Sequence, residues 1–143
     1  MHKLRLASFN ELSLIVNIEQ QCNYYAWGYN LVYESFMSGS QFFLHESNAG
    51  YYCVKLIDDI AEFLSIGVSP QLQGQGIGFV MCSHMIEHCK INGVQKIFLE
   101  VSVQNFKAIS LYKKLGFFVI DLRKQYYNDG MDAYTMQLTL GLF

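Results

Sequence analysis

Gln73-Gly-Gln-Gly-Ile-Gly78 stands between an apolar run, Phe63-Leu-Ser-Ile-Gly-Val68, and an amphipathic one, Phe79 to Cys89. That order reads as strand, glycine turn, helix. A turn of this kind aims backbone N–H groups and the helix dipole at one point, a ready anion site for a phosphate or pyrophosphate. The glycines let the backbone approach a ligand and take φ values that a Cβ forbids.

Three kinds of glycine loop compete. A Walker loop ends in Gly-Lys-Ser/Thr, but Gly78 is followed by Phe79 and Val80, which argues against a nucleotide triphosphatase. A dinucleotide fingerprint follows its strand directly. Gly74 and Gly76 begin one, and Glu100 sits 22 residues after Gly78 where a ribose-binding acid belongs. Yet Pro70-Gln-Leu-Gln73 separates strand from glycines, and the chain is short for a doubly wound sheet. The third pattern is Gln-x-x-Gly-x-Gly, met by Gln73, Gly76 and Gly78. A glycine-rich turn without any ligand stays open on these six residues alone.

The 143 residues suit one domain spanning 1–143 with its own core. Hydrophobic content of 52% and charged content of 15% exclude a disordered chain. A net charge of −2 gives no reason to expect nucleic acid as a partner. No apolar run approaches the ~18 residues of a transmembrane helix, so no membrane role is expected. The first residues, Met-His-Lys-Leu-Arg-Leu, lack the apolar centre of a signal peptide. Cysteines at 22, 53, 82 and 89 form no Cys-x-x-Cys, which fits free thiols in a cytoplasmic protein. A monomer or weak homodimer is expected.

Along the chain, Lys3–Ala7 reads as a strand, and Ser8-Phe-Asn-Glu11 as a capping box opening a helix to Gln21. A helix is expected over Leu31–Met37, and strands over Gln41–Glu46, Gly50–Ile57 and Ile60–Val68. The helix after the glycine loop runs to Asn92, before Gly93. Lys96–Val101 reads as a strand, and Asn105–Leu115 as a helix with Asn105 as N-cap and Gly116 just past its end. Phe117–Tyr127 and Ala133–Leu140 complete the chain as strands. The order β-α-α-β-β-β-α-β-α-β-β is a mixed α/β pattern.

Asn105-Phe-Lys-Ala-Ile-Ser-Leu-Tyr-Lys-Lys-Leu-Gly-Phe117 resembles the "N-x-x-A-x-x-L-Y-x-x-L-G-F" segment of the GNAT N-acetyltransferases, and Gln73–Gly78 resembles their acyl-coenzyme-A loop. Phe98-Leu-Glu-Val101, Lys124-Gln-Tyr-Tyr127, Asp132-Ala-Tyr-Thr-Met136, Ile18-Glu-Gln20 and Trp27 fit as well. Together they are similar to the RimI type, whose members acetylate the N-terminal α-amine of a ribosomal protein, the eighteenth of the small subunit. The resemblance covers nearly the whole chain. It implies a mixed, mostly antiparallel twisted sheet with flanking helices. At its centre a parallel strand pair splays apart to admit the acyl-pantetheine arm of acetyl-CoA.

The resemblance also implies roles. The loop Gln73, Gly74, Gln75, Gly76, Ile77 and Gly78 would hold the pyrophosphate. The backbone at Ile66 and Val68 would meet the acyl arm, with Val68 stabilising the charge that develops on the acyl oxygen. Asn105 and Ala108 would contact the pantetheine, although Asn105 also suits plain helix capping. Glu100 would be the general base. Its neighbours Leu99 and Val101 point to the other face of the strand, and the alternative is a half-exposed strand glutamate. An α-amine with a pKa near ~8 needs only modest help, through water. Tyr112 would be the general acid, its alternative being a core aromatic beside Leu111 and Leu115. Trp27, Tyr126 and Tyr127 would line the amine side, where ordinary packing competes. Asp129 and Asp132 could attract a basic peptide.

Two readings from other classes remain. His84-Met-Ile-Glu-His88 matches an inverted zinc-protease signature, but it lies in the helix after the glycine loop with no downstream third ligand marked, so no metal is expected. The chain could also bind acyl-CoA without turnover. Within the enzyme class, the acceptor could be a lysine, a polyamine or another small amine instead of a protein N-terminus, because the stretch between Tyr127 and Asp132 is short.

Overall fold

The computed structural model describes residues 3–141. Its strands are β1 (Leu4–Leu6), β2 (Gln41–His45), β3 (Gly50–Ile57), β4 (Ile60–Val68), β5 (Lys96–Ser102), β6 (Phe118–Arg123) and β7 (Ala133–Thr139). Its helices are α1 (Leu12–Cys22), α2 (Tyr29–Met37), α3 (Ile77–Ile91) and α4 (Phe106–Lys114). The element order is the one the sequence predicts. The strands join one mixed sheet in the order β1-β2-β3-β4-β5-β7-β6. β4 and β5 are parallel, with Ile60, Ala61 and Glu62 opposite Lys96, Ile97 and Phe98. Among the described residues no helix is long and apolar enough to cross a membrane.

The chain divides into two compact units. The first runs to Lys55 and includes Leu64–Glu87; the second holds Leu56–Phe63 and the chain from His88 onward. In the first unit, α1 lays Leu12, Ile15 and Ile18 on Phe42, Leu44, Tyr51 and Cys53 of β2 and β3. These α1 positions recur at helical spacing, which is what gives the helix one apolar face. The helix is entered by a 3-10 turn over Phe9–Glu11, where the sequence predicts α-helix. There the Glu11 carboxylate accepts from the Ser8 backbone N–H at 3.1 Å and from its hydroxyl at 3.4 Å. The box is present, and it closes the tighter turn before α1 begins. α2 starts two residues earlier than predicted, with Gly28 as its N-cap.

In the second unit, β5 alternates as its sequence requires. Ile97, Leu99 and Val101 are buried, and Phe98, Glu100 and Ser102 are half-buried on the opposite face. β7 pairs with β5 through seven residues and buries Ala133, Met136 and Leu138. The predicted last strand pair is shorter on its first member. β6 ends at Arg123 because Gln125 takes φ +53° and turns the chain away. The Tyr127 N–H then donates to the Met131 carbonyl at 3.1 Å, closing a tight loop. β6 is exposed along its length and shifts register between Val119 and Asp121, a bulge that bends the edge of the sheet.

Candidate active site

In the first unit β4 delivers the chain to the glycine loop. After Ser69 a short 3-10 turn, Pro70–Leu72, begins with the only proline, whose fixed φ and missing N–H suit a first helical position. With its flanking Ser69 and Gln73, this turn is why five residues separate β4 from Gly74. Gly74 and Gly76 take φ +81° and +82°. A Cβ at either position would meet nothing within 4 Å. Conformation, and not crowding, therefore demands glycine here, and the space above the loop is open. The first helical hydrogen bond runs from the Val80 N–H to the Gly76 carbonyl at 3.1 Å. The N–H groups of the first turn of α3 thus lack intrahelical acceptors and add to the positive end of the dipole. An exposed, open, donor-rich loop of this kind fits a pyrophosphate.

Gln73 has a role the sequence does not announce: its side-chain amide donates to the Val68 carbonyl at 2.8 Å, tying the loop to the end of β4. Further back, the Ile66 carbonyl accepts from Asn23 Nδ2 at 3.0 Å. Trp27, half-buried, packs on the core of this unit. Its backbone is held at both ends, the N–H by Glu19 Oε2 at 3.1 Å and the carbonyl by Gln20 Nε2 at 3.0 Å. Burial, then the charge of Glu19, pushes the Cys22 thiol up to about 11, against an opposing pull from the Val68 N–H.

In the second unit Glu100 stands opposite Thr135 in the β5–β7 ladder. Its Oε2 accepts the Thr135 hydroxyl at 2.8 Å and lies 3.8 Å from Arg123 Nη1. Both contacts use Oε2. The Arg123 guanidinium also lies over the Tyr126 ring, 5.0 Å from its centroid. Tyr126 and Tyr127 meet edge to face at 4.9 Å. Burial raises both phenols, and the Glu100 charge raises each further, so both stay protonated at neutral pH. The cluster Glu100, Arg123, Thr135, Tyr126 and Tyr127 brings together three residues singled out from the sequence and two that were not. Arg123 lies in no motif, and Thr135 lies inside the Asp132–Met136 stretch with no role marked; only strand register reveals their contacts with Glu100.

α4 carries the remaining candidates. Asn105 caps it, its Oδ1 accepting from the Ala108 N–H at 3.2 Å. Tyr112 is 6% exposed, edge-on to Phe63 at 6.1 Å and tilted against Phe117 at 5.8 Å. Its ring therefore does core work whatever its hydroxyl does. His84, on α3, hydrogen-bonds through Nδ1 to the Tyr52 hydroxyl at 2.7 Å and packs on Phe43. Among the described residues no three His, Cys, Asp or Glu side chains gather as a metal cluster would require.

Residues 12–117 match the Acetyltransferase (GNAT) family. The chain is 37% identical to a putative [ribosomal protein bS18]-alanine N-acetyltransferase of Bacillus subtilis over 93 residues, 64% of this chain and 62% of that protein, so this match spans less than two thirds of the relative. It is 26% identical to the [ribosomal protein bS18]-alanine N-acetyltransferase of Salmonella typhimurium, over 99% of this chain and 100% of that protein. Its fold superposes on the crystal structure of the ribosomal-protein-S18-alanine N-acetyltransferase of Escherichia coli with a TM-score of 0.93 and 28% identity, covering 100% of this chain and 96% of the other. With the family match spanning most of the described residues, this chain belongs to the acetyltransferase (GNAT) family.

Proposed function

We propose that this chain acetylates the N-terminal α-amine of a protein, with the alanine-led N-terminus of ribosomal protein S18 as acceptor, from acetyl-CoA. The observation that carries the reading is the end-to-end similarity to the E. coli S18-alanine N-acetyltransferase. The open glycine loop before α3 supports the choice of cofactor, because its donors and dipole suit a pyrophosphate.

Acetyl-CoA supplies an activated acetyl thioester. Gln73, Gly74, Gln75, Gly76, Ile77 and Gly78 would hold its pyrophosphate end by backbone N–H groups. Ile66, Asn105 and Ala108 would line the pantetheine, and the Val68 backbone would stabilise the charge that develops on the acetyl oxygen. Glu100 takes, through a water, the proton that the amine loses as it attacks. The Thr135 hydroxyl and Arg123 fix the carboxylate for that task. Tyr112 would give its proton to the departing sulfur. Trp27, Tyr126 and Tyr127 face the acceptor. The attack is direct: burial pushes Cys53, Cys82 and Cys89 up to about 12 and Cys22 to about 11, so no thiol is ionised to carry the acetyl group.

Thiol release from acetyl-CoA with an alanine-led peptide tests these roles. Glu100→Gln and Tyr112→Phe should each lower kcat on the order of a hundredfold while acetyl-CoA binding holds. Unchanged rates in both variants would remove the assignments. Lysine peptides and polyamines run in parallel decide whether the acceptor is another amine.

A further inference from the structure

Glu19 is a buried carboxylate, 1% exposed, in the last turns of α1. Neither ion pair among the described residues includes it. Four donors surround it instead. Oε1 accepts from the Tyr51 hydroxyl of β3, from Ser65 Oγ of β4 at 3.1 Å and from Asn23 Nδ2 at 2.7 Å. Oε2 accepts the Trp27 backbone N–H at 3.1 Å. An uncompensated buried charge is costly, and an apolar side chain of the same size would fill this place without that cost. What a carboxylate does here that no apolar group can is join four segments at one point: α1, β3, β4 and the connection between α1 and α2.

Two further observations show that the junction is tight. Asn23 donates both to Glu19 and to the Ile66 carbonyl, so one amide ties the connection to β4. A Cβ at Gly67 would come within 2.8 Å of Cys22 Sγ and 3.1 Å of the Tyr51 ring, so the end of α1 lies directly on β4. Segment 23–28 is therefore fixed to the sheet from Asn23 at one end and Trp27 at the other.

We infer that Glu19 is a positioning residue for the acceptor: it holds Trp27 and its segment in register with β4, and through them sets the affinity for the amine substrate, not the chemistry or the hold on acetyl-CoA. The kinetic part rests on the acetyl-transfer reading above; the conformational part does not.

Glu19→Gln is the discriminating variant. Its volume is unchanged and its amide oxygen can still serve the donors at Oε1, but its NH2 then opposes the Trp27 N–H, donor against donor. Trp27 is the one tryptophan of the chain, so its fluorescence reports this segment alone. With an alanine-led peptide as acceptor, Glu19→Gln should raise the peptide KM about tenfold, the loss of one anchoring bond. The KM for acetyl-CoA should stay within about twofold, and acrylamide should quench Trp27 more strongly. Val54→Ala, a core truncation in β3, lowers the melting temperature without touching the junction and should leave the peptide KM in place. A peptide KM that does not move in Glu19→Gln, a parallel rise for both substrates, or the same rise in Val54→Ala overturns the inference. If Glu19→Gln does not fold, Asn23→Leu, which cuts the ties to both Glu19 and Ile66, carries the same expectations. A wild-type protein that acetylates no amine removes the acetyl-transfer reading instead; quenching then decides alone, and equal quenching of Trp27 in wild type and variant overturns the inference.

Discussion

Glycines 67 and 76 show how one residue type serves two physical ends. Gly76 has open space around it and a left-handed φ, whereas Gly67 lies in β4 against Cys22 and Tyr51. Gly76→Ala should cost about 1–2 kcal/mol through backbone strain and weaken acetyl-CoA binding, read by calorimetry. Gly67→Ala should cost about 1–3 kcal/mol through overpacking, read as a lower melting temperature with the loop intact. Equal effects of both on cofactor affinity would contradict this division. The glycine loop, the Asn105 cap and the inward and outward faces of β5 were legible in the sequence, because spacing alone decides them. Thr135, Arg123 and the tie from Gln73 to Val68 were not. Each depends on a partner brought near by register or by a turn. Glu19 was legible as a helical position, and its burial with four donors was not.

At the scale of elements, the strands over 41–68 and the helices α3 and α4 follow the hydrophobic pattern closely. The misses lie where local hydrogen bonds outweigh periodicity. The entry to α1 is a 3-10 turn closed by Ser8 and Glu11, and β6 ends early where Gln125 turns left-handed. The α1 entry gives a pH-dependent prediction. The Ser8 N–H, then Arg5, lowers the Glu11 carboxyl below its ordinary 4.5. A lowered folded value adds stability that is present above the unfolded pKa and lost as pH falls through the folded one. Glu11→Ala should therefore reduce the melting temperature near neutral pH, and the gap to wild type should shrink below pH 4.5. A gap that is constant across that range would show that the carboxylate contributes nothing as an anion.

For the whole molecule, the four thiols set an alkaline limit. Each has a folded value of about 11 or about 12 against an unfolded 9.0, burial being the main cause. A raised value stabilises the folded state below the unfolded pKa, and that stabilisation is lost as pH climbs through the folded one. The melting temperature should thus decline above pH 9, and less steeply in the double variant Cys82→Ala, Cys89→Ala. Identical slopes would assign the decline to other groups. At this scale the order of strands and α-helices among the described residues was readable from sequence.

The most direct test of the central claim is mass spectrometry of an alanine-led peptide, also carrying an internal lysine, after incubation with the protein and acetyl-CoA. One added acetyl group, located on the alanine α-amine and formed on the order of a hundredfold more slowly with Glu100→Gln, is the predicted result. Acetylation of the lysine alone, or none on any amine, would contradict it.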